Sequence, residues 1–148
     1  MTKAKAAEAP TPAELRTRIR EAGLRCTDAR VLVLEHLAGA SRPLTHAEVA
    51  EAVAARGFDR ATIYRNLIEL AEAGLVSRVE LGDHVWRFEL LPPGHFSTDH
   101  PHFVCVNCGE ISCLPRVTVD IKPSPGSKQS GIRQVTEILL KGRCGQCA

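Results

Sequence analysis

The chain has 148 residues, of which 44% are hydrophobic, and its formal net charge is only +2. A chain of this length can form one hydrophobic core, or two small cores if a further constraint stabilises the smaller one. The net charge is too small to attract nucleic acid by itself, so DNA binding would depend on a local basic patch. No segment is apolar enough to cross a bilayer and the N-terminus lacks a hydrophobic signal, so we expect a cytoplasmic protein.

The first part of the chain has the pattern of capped helices in series. Residues 1–10 are rich in Ala, Lys and Pro, and we expect them to be disordered. Four helices are then predicted, with the sequences AELRTRIREAGL, DARVLVLEHLAG, HAEVAEAVAARG and RATIYRNLIELAEAGLV. Their expected N-caps are Thr11, Thr27, Thr45 and Asp59. The buried face of the fourth is predicted to contain Ile63, Leu67, Leu70 and Ala71.

The pattern changes after the fourth helix. The run VSRVELGDHVWRFEL alternates and has Gly82-Asp83 near its centre, which predicts two strands joined by a tight turn. Helices followed by a hairpin predict a winged helix-turn-helix domain over residues 11–90. Pro, Gly and Ser predict a linker over residues 91–98. Residues 99–148 are predicted to form a second domain with strands around two CxxC motifs. The expected class is α+β.

The strongest signal is this pair of CxxC motifs. Cys105 and Cys108 form the first, and Cys144 and Cys147 form the second. Four reduced thiolates on two tight turns suit tetrahedral zinc. Two redox dithiols or inert cysteines are the alternative, but a thioredoxin-like centre needs a βαβ context, which the sequence lacks. We predict a structural zinc that contributes folding energy to a small module, with the motifs brought together by paired strands.

Further metal-binding side chains surround the first motif. His100 and His102 are two residues apart, so on a strand both imidazoles project from one face, as two ligands of one metal must. Taken alone, they fit surface histidines equally well. Because Glu89, His95 and Cys113 are near by in the sequence, a second, mixed metal site that spans the linker is the better interpretation.

Five segments together resemble a known family. They are GLRCTDAR, ATIYRNL with AGLV, RFEL, HPHFVCVNCGE and the terminal CGQC. From about Leu15 to Cys147 the chain resembles the ferric uptake regulator family. The resemblance implies a transcriptional repressor, not an enzyme, with a DNA-binding winged helix and a small α/β dimerisation domain that holds the four-cysteine zinc. Its implied partners are double-stranded operator DNA and a second copy of the chain, with no membrane and no small-molecule substrate.

The resemblance also implies the ligands of a second, regulatory divalent metal. Glu89 matches the acidic ligand at the end of the wing, and His100 and His102 match the paired histidines of that site. Cys113 occupies a position where many relatives carry Asp or Glu, and His95 stands near the place where zinc sensors often have cysteine. Zinc is narrowly favoured over iron, because a thiolate favours zinc, and manganese is a further option.

The chain departs from the family at two places. Pro43 stands where iron and peroxide sensors usually have histidine, and His46, three residues on, is a possible substitute ligand. The segment VDIKPSPGSKQSGI stands where relatives have a dimerisation helix. Its two prolines disfavour a helix over residues 119–131 of this chain.

Candidate DNA contacts cluster near the start of the fourth helix. Residues 1–91 contain equal numbers of basic and acidic side chains, so affinity depends on their placement. The N-terminal end of a recognition helix normally enters the major groove, and in relatives the residues matching Tyr64 and Arg65 contact DNA. The candidates on this helix are Arg60, Thr62, Tyr64 and Arg65. The candidates for phosphate contacts nearer the N-terminus are Arg16, Arg20 and Arg25. The alternative is that these side chains form a solvent-exposed surface that does not bind DNA.

The sequence predicts a metal-dependent DNA-binding repressor that controls metal homeostasis, with zinc uptake favoured over iron. Metal held across the linker would fix the angle of the DNA-binding domains. Two alternatives stay open: a peroxide-sensing repressor that uses iron or manganese, and a zinc-containing protein-interaction module that does not bind DNA. His46-Ala47-Glu48 with a later CxxC motif is similar to the motif of zinc deaminases. That enzyme is disfavoured, because Val104 stands where its motif requires proline and the second CxxC motif would have no role.

Overall fold

The computed structural model describes residues 9–91, 100–114, 117–120, 122, 124–126, 135 and 137–147. The chain divides into two compact units, Met1–Phe96 and Ser97–Ala148. Helices and a three-stranded sheet make up the described part of the first unit, and a second three-stranded sheet lies in the other. The predicted α+β class is confirmed. Among the described helices, none combines the length and apolar character needed to span a membrane.

The first unit contains four α-helices that begin where the capping residues predict. They are α1 (Pro12–Glu21), α2 (Asp28–Gly39), α3 (His46–Val53) and α4 (Arg60–Glu72). Their N-caps are Thr11, Thr27, Thr45 and Asp59. Each cap side chain accepts a hydrogen bond from a backbone N–H of the first turn, which would otherwise lack a partner within the helix.

Three predicted helices end earlier than expected. The first stops at Glu21, two residues before Gly23, whose φ is +80°. The third helix stops at Val53, and residues 54–56 form a short 3-10 helix that ends at Gly57, where φ is +85°. The fourth is predicted to run to Val76 but stops at Glu72. Gly74 has φ of +79°, a left-handed conformation that ends the helix, and Val76 begins the next strand.

The sheet of the first unit contains the predicted hairpin. Its strands are β1 (Leu44–Thr45), β2 (Val76–Glu80) and β3 (Trp86–Leu90), in the antiparallel order β1-β3-β2. The turn between β2 and β3 includes Gly82, whose φ is +93°. The sequence does not predict β1, because two residues between Pro43 and a helix show no alternation.

One hydrophobic core joins the four helices to this sheet. Ile63, Leu67 and Leu70 of α4 are fully buried in it, as predicted. Ala71 is only half-buried, and Asn66 is buried on this helix instead. The opposite face of α4 is exposed, which leaves its polar side chains free of core packing.

The second unit contains strands β4 (His102–Cys105), β5 (Ile111–Cys113) and β6 (Leu139–Gly142), in the order β5-β4-β6. Strand β4 pairs antiparallel with β5 and parallel with β6. Parallel neighbours end at the same edge of a sheet, so the segments that follow β4 and β6 come together. Residues 119, 120, 122 and 124–126 are not helical, and the rest of the doubtful helix segment lies outside the described residues.

Candidate metal centres and nucleic-acid interface

The two CxxC motifs meet at one edge of the second sheet. Cys105 pairs with Gly142 at the ends of the parallel strands β4 and β6, so Cys144 follows only two residues later. The backbone N–H of Cys144 donates to the Cys105 sulfur at 3.3 Å, and the Sγ atoms of Cys108 and Cys144 are 3.8 Å apart. All four sulfurs, including that of Cys147, lie within 4.8 Å of one another. The prediction that paired strands join the motifs is confirmed.

The electrostatics of this four-cysteine cluster favour a bound cation. Backbone N–H groups of Cys108 and Cys144 donate to the Cys105 sulfur and lower the pKa of that thiol to about 6. At Cys108 the backbone N–H of Glu110 acts in the same direction, but the other cysteine side chains outweigh it and raise the pKa to about 12. Several thiolates therefore cannot share this space without a compensating positive charge.

Zinc fits this donor set. A tetrahedral ion with Zn–S bonds of about 2.3 Å places its sulfurs about 3.8 Å apart, which matches the distance between Cys108 and Cys144. Four thiolates also leave no open position for a substrate or a water, so the chemistry of the cluster is that of a structural site.

A second cluster lies at the opposite end of β4 and contains His100, His102 and Cys113. His102 pairs directly with Cys113 across β4 and β5, and the His100 and His102 ring centroids are 4.9 Å apart. One donor atom from each of the three lies within 4.8 Å of the others. His102 is fully buried, and the other two are half-buried. Two imidazoles and a thiol are borderline to soft donors that suit zinc or another transition metal.

His100 and His102 are close together as predicted, but the prediction that both lie on one strand is wrong. His100 does not lie on the strand, because β4 begins at His102 and His100 is in a bend before it. The buried Pro101 between them has no N–H to donate to a sheet, but its carbonyl accepts from the N–H of Leu114 at 2.9 Å. The bend, not strand alternation, brings the His100 ring to His102.

The other two candidate ligands belong to different parts of the chain. Glu89 lies on β3 of the first unit, where it pairs with Ser77 and is half-buried. His95 and most of the predicted linker lie outside the described residues. Their membership of the second metal site remains a prediction.

The start of α4 presents the candidate DNA contacts on its exposed side. Arg60, Tyr64 and Arg65 are exposed, and Thr62 is half-buried. The Asp59 carboxylate accepts from the backbone N–H of Thr62 at 2.7 Å, which fixes the first turn of the helix. A cationic, partly aromatic helix end of this kind can contact phosphates and base edges together.

The three arginines nearer the N-terminus are placed differently from one another. Arg20 and Arg25 are exposed, and each could reach a phosphate. Arg16 lies 3.8 Å from the Asp28 carboxylate, so part of its charge is already balanced within the protein. A phosphate contact by Arg16 would compete with this weak surface pair.

Sequence reasoning missed the contact that His46 makes. It considers this histidine only as a metal ligand, whereas the structure places its ring beside Tyr64, with centroids 5.2 Å apart. The two residues are 18 positions apart on different helices, so no spacing within one element predicts their contact. Only the packing of α3 against α4 brings them together.

Comparisons with known proteins agree with the resemblance seen in the sequence. A model of the ferric uptake regulator family matches residues 21–138. The ferric uptake regulation protein of Shigella flexneri is 30% identical over 137 residues, 88% of each chain. The peroxide operon regulator of Bacillus subtilis is 33% identical over 95 residues, 63% of this chain and 62% of that protein. The solved ferric uptake regulator of Pseudomonas aeruginosa with manganese has a TM-score of 0.62 at 27% identity, and the match covers 88% of this chain and 98% of that one.

Several solved structures of similar fold contain a metal. Solved regulators similar to this chain include examples with manganese, with iron and with zinc. Ferric uptake regulators are dimeric, DNA-binding and metal-binding transcription repressors. The family match spans most of the chain, and the fold and the candidate metal sites are consistent with it. The chain belongs to the ferric uptake regulator family of metal-responsive transcription regulators.

Proposed function

We propose that this chain is a metal-dependent transcriptional repressor that controls metal homeostasis, with zinc uptake favoured over iron as the regulated process. The observation that carries the proposal is the cluster of His100, His102 and Cys113 at one end of β4, separate from the four-cysteine cluster at the other. A metal-responsive regulator needs a site at which the metal can exchange, and a closed four-thiolate site is instead typical of structural zinc. Two donor clusters of different chemistry would provide one of each.

The regulatory site is proposed to contain Glu89 in addition to the three clustered residues, with His95 as a further ligand. Glu89 is carried over from the sequence resemblance and brings a carboxylate from the first unit. A bound divalent cation would supply the positive charge that draws these donors together. The Cys113 thiol and two imidazoles favour zinc over iron, and manganese, which prefers oxygen donors, is the least favoured.

Regulation would follow from the position of the ligands on both sides of the linker. The proposed domains are residues 11–90 for DNA binding, 91–98 as the linker, and 99–148 for dimerisation and metal sensing. Convergence of Glu89 with the donors of the second domain would restrict the DNA-binding domains of a dimer to orientations that reach two half-sites. A coupling typical of allosteric proteins would change DNA affinity by about 5- to 150-fold.

Operator recognition is proposed to depend on the exposed start of α4. Arg60, Thr62, Tyr64 and Arg65 would approach the major groove. Phosphate contacts are assigned to Arg20 and Arg25, with a smaller contribution from Arg16 because of its pairing with Asp28. This placement explains how a chain with a net charge of only +2 could bind DNA.

Reversing one charge tests this DNA interface. We expect Arg65→Glu to weaken binding to a duplex selected by the wild-type protein from a random pool by about 10- to 100-fold, because a phosphate or base contact becomes a repulsion. Lys122→Glu makes the same change in net charge on an exposed residue of the second unit and should have little effect. Both affinities are measured by fluorescence anisotropy at one salt concentration. Equal affinities of the two variants would favour the protein-interaction module.

A peroxide sensor is the second candidate, because the chain is similar to the Bacillus subtilis peroxide operon regulator over 95 residues. If zinc is the sensed metal, hydrogen peroxide should leave DNA binding of the zinc-loaded and iron-loaded forms equally intact. If the protein senses peroxide, only the iron-loaded form should lose binding, and the peptide containing His100 and His102 should gain the mass of one oxygen. DNA binding and peptide mass are measured on the same samples.

A further inference from the structure

Two contacts hold the His46 ring at the start of the recognition helix. His46 is the first residue of α3, and its Nε2 atom lies 2.9 Å from the carbonyl oxygen of Arg60, the first residue of α4. Its ring also packs against Tyr64 at a centroid distance of 5.2 Å and an interplanar angle of 68°. This is the edge-to-face arrangement that aromatic rings prefer.

The hydrogen bond fixes the orientation of the imidazole. A carbonyl oxygen can only accept, so Nε2 of His46 carries the proton and donates. In an α-helix, the carbonyl of residue i also accepts from the N–H of residue i+4, which for Arg60 is Tyr64. The same carbonyl therefore connects the backbone of Tyr64 to the side chain that packs against the Tyr64 ring.

The hydrophobic core does not restrict the rotamer of the Tyr64 side chain, so a neighbouring side chain must do so. The residue is 46% exposed, and it lies about 100° around α4 from Ile63, beside the buried face formed by Ile63, Leu67 and Leu70. An exposed side chain that must adopt one rotamer on binding loses conformational entropy, which weakens affinity. A contact that already restricts the ring in the free protein removes part of this loss.

We propose that His46 is a positioning residue that pre-orients Tyr64 for DNA recognition. It does not itself contact DNA or metal in this role. It holds the Tyr64 ring by its own ring and by its hydrogen bond to Arg60, so that the tyrosine is presented to base edges in one orientation. This inference rests on the proposed function, because it takes Tyr64 to be a DNA contact.

Tyr64 is the only tyrosine of the chain, so its ring can be observed directly. In protein carrying ring-labelled tyrosine, we expect His46→Ala to shift the single set of tyrosine NMR signals in the absence of DNA. His46→Phe, which keeps a flat ring but no N–H donor, should restore the shift in part. His36→Ala, a half-buried histidine of α2, is the matched control and should leave the signals unchanged. An unchanged spectrum in His46→Ala would overturn the proposal.

A double-mutant cycle then tests the consequence for recognition. The probes are a duplex selected from a random pool by the metal-loaded wild-type protein and a scrambled duplex of the same composition. We expect His46→Ala to weaken binding to the selected duplex about three- to tenfold with Tyr64 present, and not to weaken it further in a Tyr64→Ala background. Binding to the scrambled duplex should change little.

The other outcomes separate the inference from the function on which it rests. Equal losses from His46→Ala with and without Tyr64 would overturn the positioning role and leave the proposed DNA interface intact. If Tyr64→Ala alone left binding to the selected duplex unchanged, the assignment of Tyr64 as a DNA contact would be wrong and the inference would fall with it. A loss of unfolding stability common to both backgrounds would appear in thermal denaturation of the same samples.

Discussion

Cys144→Ser is expected to abolish the structural zinc and to unfold the second unit. Cys144 contributes a sulfur 3.8 Å from that of Cys108, and serine replaces it with a hydroxyl, so one of the four thiolates that a structural zinc needs is lost. Structural zinc in small modules contributes about 10–16 kcal/mol of apparent binding free energy, as much as the whole stability of a typical domain. The first unit should remain folded, because the described residues of its hydrophobic core, from Leu15 to Leu90, all belong to that unit.

Zinc content and backbone hydrogen exchange of the same preparation measure both effects. The variant should lose one zinc per chain, and the amides of β4 and β5 should exchange at the rate of an unfolded peptide. Cys26→Ser is the matched control, since Cys26 lies in the first unit outside either cluster and should keep the zinc. Full zinc content together with protected β4 amides in Cys144→Ser would contradict a structural role.

His102→Ala is expected to prevent binding of the regulatory metal, which we call the exchangeable metal, while the structural zinc stays bound. His102 is fully buried between His100 and Cys113, so no solvent-exposed group can replace it as a ligand. Loss of a residue that merely supports a metal ligand typically costs 10- to 100-fold in affinity, so loss of the ligand itself should cost at least about 100-fold.

Metal analysis and zinc titration are the measurements for this variant. Wild type should bind one tight and one exchangeable metal per chain, and the variant should retain only the tight one. His100→Ala, which removes a half-buried ring and leaves a smaller gap in the packing, should give the same stoichiometry, whereas His36→Ala should behave as wild type. An exchangeable metal that persists in both cluster variants would place the responsive site elsewhere.

The sequence predicts those parts of the fold that short-range chemistry determines. Thr11 and Thr45 are followed three residues later by glutamates, and both helices begin there with reciprocal capping bonds. The hairpin follows from alternation around Gly82. The end of α4 is predicted wrongly, because AEAGLV continues the apolar pattern while Gly74 allows a left-handed turn. Strand β1 is too short to show any pattern.

The candidate sites likewise contain some contacts that the sequence predicts and others that only the folded structure shows. The four cysteines are predicted as a group because two CxxC motifs fix which sulfurs are neighbours, and the parallel pairing of β4 with β6 supplies the remaining contact. The contact between His100 and His102 is predicted for the wrong reason, since a bend before Pro101 replaces the expected strand. The contact of His46 with Tyr64 depends on packing between helices and therefore leaves no signal in spacing.

The central claim is that the exchangeable metal controls the affinity for DNA while the four-cysteine zinc does not vary. The most direct test is a titration of the full chain, with the four-cysteine zinc retained and the exchangeable metal removed, in which occupancy and affinity for the selected duplex are measured against free zinc at fixed salt. We predict that affinity rises with occupancy of the second site and reaches its midpoint at the same free zinc concentration. DNA affinity that is the same in the stripped and the loaded protein would contradict the account.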